Sequence, residues 1–260
     1  MMKNRPKQLF TRANWNLLVE LIRAQFKLID HNSLLGFLWS SLGPLAMFAV
    51  TYAIFSVRFG KNIAAYPLYL LSGIVVVNFF VNATLQVMQS FCAAMPLMLN
   101  TTAPRKIILI ANVGIVLYKF LLELLFCVAI SFFYGKLSLK MLVLAIPILL
   151  AFIAFILGIS SMLALCNCLV RDVEHLWTLL SRVFFFITPV FYELKDISSW
   201  ASKLVYFANP LTPFMVSLRS LLMGSFDAMS FGYSLLWGVF FFALGLGAFG
   251  LLEDTAVERA

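Results

Sequence analysis

Lys119 and Glu123 stand one helical turn apart inside an otherwise uncharged run, Ile107 to Gly135. A charge at mid-bilayer costs on the order of 3 kcal/mol on insertion scales, so ionisable groups there are functional candidates by default. Their i, i+4 spacing also lets them neutralise each other on one face, and a structural pair is the first reading. Arg182 interrupts a second apolar run, Leu176 to Tyr192, seven residues after His175. That is about 10 Å along a helix, close enough to a boundary for the side chain to snorkel outward, with Glu123 as the other partner. The sequence shows no series of acids suited to a proton relay. Cys166-Asn-Cys168 with His175 is thin material for a metal site, and small residues buried at a helix end is the simpler account. No G-x-x-x-x-G-K phosphate loop, H-E-x-x-H or G-x-S-x-G occurs. With two His and 11 acids there is little from which to build a catalytic centre, and the chain is not expected to be an enzyme.

Aromatic rings form the other candidate set. Phe48, Tyr52, Phe55 and Phe59 recur at i, i+4, i+7 and i+11, and Trp177 and Phe184 share a helical face further on, followed by Phe185, Phe186, Phe191 and Tyr192. Ring faces bind sugars and lipid tails, and Tyr adds a hydroxyl. Packing and interfacial belts account for most single rings in a chain with 27 Phe, but stripes on two separate segments suit a channel wall. Arg58, beside Phe59, offers a cation to phosphate, acidic sugar or lipid head groups.

The elements that must position these residues follow from where the charges fall. Of 260 residues, 63% are hydrophobic and 12% charged, against about a quarter charged in soluble domains. This excludes a soluble enzyme, a disordered chain and a free nucleic-acid-binding domain. The net charge of +8 is scattered at segment boundaries and forms no patch for nucleic acid. Charge-poor runs predict an all-α polytopic membrane protein with six transmembrane helices, near 34–57, 66–90, 107–134, 141–169, 176–192 and 230–252. Residues 193–227 are apolar in part but broken by Asn209-Pro210 and Pro213, which predicts an exit-side re-entrant hairpin between helices 5 and 6. The division is a 1–33 N-terminal region, a 34–252 membrane domain and a 253–260 tail. Lys3, Arg5, Lys7, Arg12, Arg23 and Lys27 place the N-terminus in the cytoplasm, and six spans return the C-terminus to the same side. No cleavable leader is visible in the first 30 residues.

Two segments on that side suit contact with a partner. Trp15, Leu18, Ile22, Phe26 and Ile29 mark one face of a basic amphipathic helix over 13–30, with Glu20 and Arg23 able to pair across a turn. It reads equally as a lipid anchor or a docking surface. Residues 91–106, FCAAMPLMLNTTAPRK, pass from a short apolar stretch with Met95 and Pro96 through Asn100, Thr101 and Thr102 to Pro104 and Arg105. Thr and Pro there suit the start of the next helix. An ordinary connecting loop is the plainer alternative to a helix that pushes on a partner.

The chain as a whole resembles the membrane subunits of type-2 ABC exporters, in the family that moves O-antigen, capsule or teichoic acid chains. The likeness rests on Leu34-Leu35-Gly36-Phe37-Leu38-Trp39 with Pro44, Tyr69-Leu70-Leu71-Ser72-Gly73, and Phe79-Phe80-Val81-Asn82. It continues through Pro104-Arg105, Arg171-Asp172, Thr188-Pro189-Val190-Phe191-Tyr192 and Asn209-Pro210 with Pro213. The resemblance implies a homodimer in the cytoplasmic membrane, bound to two copies of a separate ABC ATPase that uses ATP and Mg. No cofactor is expected in this chain itself. It implies a channel for lipid-linked polysaccharide, with Phe48, Tyr52, Phe55, Phe59, Trp177, Phe184, Phe185 and Tyr192 as wall candidates. Trp15, Arg23, Met95, Pro96, Asn100, Thr101, Pro104 and Arg105 would couple to the ATPase, and Asn209, Pro210 and Pro213 would shape an outer gate. An exporter of drugs or small lipids shares this architecture. A secondary transporter would need buried acid pairs or inverted repeats, which the sequence does not show.

Overall fold

The computed structural model describes residues 12–30, 38–60, 63–94 and 105–259, which form helices, turns and short loops with no strand. Among the described residues the helices are α1 (Arg12–Asp30), α2 (Leu38–Phe59), α3 (Tyr66–Ala93), α4 (Lys106–Phe133) and α5 (Leu139–Leu169). They continue with α6 (Asp172–Ile187), a 3-10 turn at Leu194–Asp196, α7 (Ser199–Ala208), α8 (Leu211–Leu222) and α9 (Ala228–Arg259).

Five of these, α2, α3, α4, α5 and α9, are long and apolar enough to cross a membrane. They match five predicted spans to within a few residues at most ends. The remaining expected span, 176–192, is α6 followed by non-helical chain. The helix stops because the residue before a proline is driven out of the α region. Thr188, before Pro189, has φ −69° and ψ 135°. Sixteen residues reach about 24 Å, short of a ~30 Å hydrocarbon core.

Specific contacts show which helix ends share a side. At the near end, Gln86 on α3 lies 3.5 Å from Asn112 on α4, and Gln89 donates to Glu174 on α6 at 2.8 Å. The thiols of Cys92 on α3 and Cys168 on α5 also meet there, and Phe91 packs edge-on to Phe249 of α9. At the far end, Ser131 Oγ of α4 donates to the Leu222 carbonyl that ends α8, and Phe55 of α2 stacks on Phe191 after α6.

The core forms around α3, the most enclosed of the five spans; α2 is scarcely buried. Phe79 stacks on Phe120 of α4 at 4.2 Å, while Phe152 and Phe155 of α5 lie 5.0 Å from Phe214 of α8. Lipid tails are as apolar as Leu, so helices in a bilayer gain by close packing, which small residues allow. Helices α5 and α9 do this at Gly158, Gly238 and Gly245. A Cβ at Gly158 would strike the Phe241 carbonyl, and one at Gly238 would lie 2.6 Å from the Ala151 oxygen.

Candidate functional site

The far end of the bundle gathers the predicted wall residues of α2 and of the segment after α6. Phe48 stacks on Tyr52 at 5.7 Å, Tyr52 meets Tyr66 at 6.1 Å, and Phe55 meets Phe59 at 6.2 Å. Phe55 lies flat on Phe191 at 4.9 Å. Phe55, Arg58, Phe59, Phe191, Tyr192 and Asp196 line a cavity of about 550 Å³ at this end. The Arg58 guanidinium stands 5.9 Å from the Phe59 ring, so the mouth carries a cation beside aromatic faces. Phe185 is tied to the cluster through Phe191, 6.0 Å away. Trp177 and Phe184 sit apart from this mouth. Both pack on Phe80 of α3, and the Trp177 indole donates to Thr84 Oγ1 at 2.9 Å.

Residues 188–192 have left the helix, so their carbonyls need partners from elsewhere. Each has one. The Ile187 oxygen accepts from Tyr192 Oη at 2.7 Å, and the Thr188 oxygen from the Val190 amide at 2.7 Å. Arg219 of α8 serves the next two, Nη1 to Pro189 at 3.0 Å and Nη2 to Val190 at 3.2 Å. Tyr66 Oη donates to Phe191 at 3.3 Å and Tyr69 Oη to Tyr192 at 2.7 Å. Arg219 is buried, its guanidinium 3.4 Å from the Tyr69 ring centre. Gly73 makes room for it, since a Cβ there would lie 2.6 Å from Nη2. Just beyond, Glu193 pairs with Lys195 and raises its ammonium pKa above the usual lysine value.

The Asn-Pro-x-x-Pro segment builds the start of α8. Asn209 is buried, donates from Nδ2 to Thr188 Oγ1 at 2.8 Å and accepts the Leu211 amide on Oδ1 at 3.0 Å. Pro210 precedes the helix and Pro213 falls in its first turn, where a missing amide costs nothing. Asn209 thus links the start of α8 to the end of α6.

The near-end expectations are placed as follows. Helix α1 packs on α4, with Ile22 beside Gly114. Trp15, expected on the apolar face, is exposed, and Arg23 pairs with Glu20 at 3.0 Å as the spacing predicted. The side chains of Phe26 and Ile29 lie outside the described ones. Met95, Pro96, Asn100, Thr101 and Pro104 lie outside the described residues; Arg105 immediately precedes α4. Cys166 is exposed, contrary to its expected burial, whereas Cys168 faces Cys92. Arg182 is exposed on α6 and makes no ion pair with Glu123. Lys119 and Glu123 open instead on a separate cavity between α2, α3 and α4.

Sequence reasoning singles out neither Arg219 nor Tyr66, and it names Tyr69 only within the motif Tyr69-Leu70-Leu71-Ser72-Gly73. The one available signal for Arg219 is its position directly after the apolar run that ends at Leu218.

The family model described as ABC-2 type transporter matches residues 16–223, from within α1 to the end of α8. Two Klebsiella pneumoniae proteins named O-antigen export system permease protein RfbA are each 28% identical over 248 residues. The matched stretch covers 94% of this chain and 95% of theirs. A Myxococcus xanthus protein of the same name is 26% identical over 206 residues, 79% of each chain. The family match takes in the four spans α2 to α5, the clasped break after α6 and the buried α8, and the chain therefore belongs to the ABC-2 type transporter family as a multi-pass membrane subunit.

Proposed function

We propose that this protein is the permease subunit of an ABC exporter that carries a lipid-linked, O-antigen-like polysaccharide across the cytoplasmic membrane. The observation that carries this reading is end-to-end likeness to proteins named as O-antigen export permeases, over 94% of this chain and 95% of theirs. The aromatic mouth supports it, because stacked rings with a neighbouring cation suit a passing glycan. The energy comes from a partner ATPase that binds ATP and Mg, docked on Trp15, Arg23 and the 91–106 segment. Two permeases pair across α2, whose flank is the least covered of the spans.

In this reading α6 and the chain to Tyr192 make the sixth crossing. Gln89 meets Glu174 near one end of α3 and Tyr69 meets Tyr192 near the other. Those positions on α3 are 20 residues apart, about 30 Å of helix. Both termini then lie on the cytoplasmic side. Helices α7 and α8 form a re-entrant gate. Tyr206 of α7 bonds to Ser230 near the far end, Phe214 reaches the rings of α5, and Leu222 returns to Ser131.

Co-expression with the partner ATPase in cells lacking their own exporter tests the function. Surface glycan is expected with the wild type, and a loss of tenfold or more with Tyr52→Ala or Tyr192→Ala at normal protein level. Unchanged export in both variants would remove the channel assignment. Unchanged ATP-driven export after substitution of Pro96, Asn100 and Arg105 would remove the coupling assignment.

A further inference from the structure

Two cysteines 76 residues apart in sequence meet at the near end of the bundle. Cys92 is the penultimate residue of α3 and Cys168 the penultimate residue of α5. Their sulfurs lie 2.9 Å apart, and both residues are half-buried. A disulfide bond is about 2.05 Å long, so the pair stands within about 1 Å of a covalent link. Cys166 is exposed and Cys127 is buried in α4, apart from this pair.

Neighbouring polar groups hold the sulfurs in place. Asn167, itself buried, donates from Nδ2 to Cys92 Sγ at 3.4 Å and accepts the Glu174 amide on Oδ1 at 3.2 Å. Glu174 in turn accepts from Gln89 of α3 at 2.8 Å. The ends of α3 and α5 and the first turn of α6 therefore converge on the two thiols. Packing at a helix end calls for small side chains and gives no reason for two sulfurs in contact.

The chemistry open to such a pair is two-electron oxidation by a peroxide. One sulfur attacks the O–O bond of hydrogen peroxide and becomes a sulfenic acid, while the other oxygen leaves and takes up the thiol proton as water. The hydrogen bond from Asn167 suits Cys92 to this first step. The second sulfur then attacks the first, the S–O bond breaks, and hydroxide leaves with the second thiol proton as water. One S–S bond has formed, and the peroxide has been reduced to two molecules of water. In the topology proposed above the near end faces the cytoplasm, where disulfides are transient and serve redox sensing.

We infer that Cys92 and Cys168 are a site of reversible oxidation, at which a peroxide closes a disulfide between α3 and α5 and slows transport. The slowing rests on the exporter reading. Cys92 stands where α3 runs into the 91–106 segment proposed to couple to the ATPase, and a covalent link fixes that root to α5. The oxidation itself rests on the thiol geometry alone.

Cells making the full chain with its partner ATPase test this before and after a pulse of hydrogen peroxide. Free thiols are trapped with N-ethylmaleimide and the peptides read by mass spectrometry. Before the pulse both cysteines should be alkylated. After it, at least half of the chains should carry a Cys92–Cys168 disulfide, in the wild type and Cys166→Ser alike, and dithiothreitol should remove it. Surface glycan export should fall at least threefold with the disulfide and recover on reduction. Cys168→Ser should export like the wild type before the pulse and keep that rate after it; Cys168→Ala takes its place if the serine variant does not fold. Absence of the disulfide after the pulse overturns the site. A bridge already complete before the pulse overturns its reversibility in favour of a structural disulfide. An equal loss of export in Cys168→Ser overturns the regulatory effect, as does full export with the disulfide formed. If the disulfide forms and dissolves but the reduced wild type exports no glycan, the exporter reading fails and the oxidation site stands.

Discussion

Replacing Arg219 with Met would keep much of its bulk and strip two carbonyls of their donors. A buried acceptor left unpaired costs about 1–3 kcal/mol, so the loss of two is a severe change. The melting temperature in detergent should fall by several degrees, and export with it. Arg219→Lys should rescue only in part, because one ammonium cannot reproduce a planar fork that spans two successive carbonyls and lies on the Tyr69 ring. Arg58→Gln, at the exposed far mouth, should leave the melting temperature unchanged. Equal melting of wild type and Arg219→Met would show that the clasp does not hold residues 188–192. This residue also marks where sequence reading stopped. A scan for charges treats an arginine after an apolar run as a boundary. Its burial is decided by Tyr69, Gly73, Pro189 and Val190, all far away in sequence, and no local pattern announces that convergence. Lys119 and Glu123 were visible as candidates, but whether they face each other or a shared cavity depends on how α2 crosses α3 and α4.

At the scale of elements, five spans were legible because a run without charge needs no tertiary knowledge. The end of α6 was legible in kind, since Thr188-Pro189 forbids a continuous helix, yet the expected helix still ran on to Tyr192. Periodicity could not show how the five non-helical residues are satisfied. Nor could it choose the mates of α5 and α9, whose glycines are ordinary in a bilayer helix. Their contact makes a sharp prediction. At Gly158 a side chain would enter the Phe241 carbonyl, backbone that cannot swing aside. Gly158→Leu should therefore cost at least the ~1–3 kcal/mol of an overpacked core. It would show as a lower melting temperature or as loss of monodisperse protein. Gly247→Leu on α9, where a Cβ meets nothing within 4 Å, is the matched control and should melt like wild type. Similar losses in both would mean that the two helices do not meet at Gly158.

For the whole molecule the open quantity is the parity of the crossings. If α6 with its clasped extension crosses, the total is even and both termini share a side. If only the five long helices cross, they do not. The contacts give the sides to be compared. Gly224, in the turn after α8, lies against Lys136 in the turn after α4, so both turns are at the far end. Arg171, at the start of α6, is near the thiol pair at the other end. With the reactive native cysteines replaced, single cysteines at Ser225, Lys136 and Arg171 can be labelled in intact cells by a membrane-impermeant maleimide. Ser225→Cys and Lys136→Cys should label from outside, and Arg171→Cys only after permeabilisation. A tag following Ala260 should behave like Arg171→Cys, as should a cysteine at Arg12 in α1. Outside labelling of Lys136→Cys with protected Ser225→Cys would require that the chain not cross between Arg171 and Ser225. It would also separate two turns that the fold puts in contact. The positive-inside rule puts Arg12 and Arg23 on the cytoplasmic side for either count, with the surface proposed for an ATPase, so the labels at Ser225 and after Ala260 alone decide the parity. On that side the exposed Trp15 and the Arg23–Glu20 pair present an aromatic and a charged contact on one helix. Trp15→Ala combined with Arg23→Glu should leave labelling of all three cysteines unchanged while lowering glycan export at least fivefold. Intact export would show that α1 serves as a lipid anchor alone.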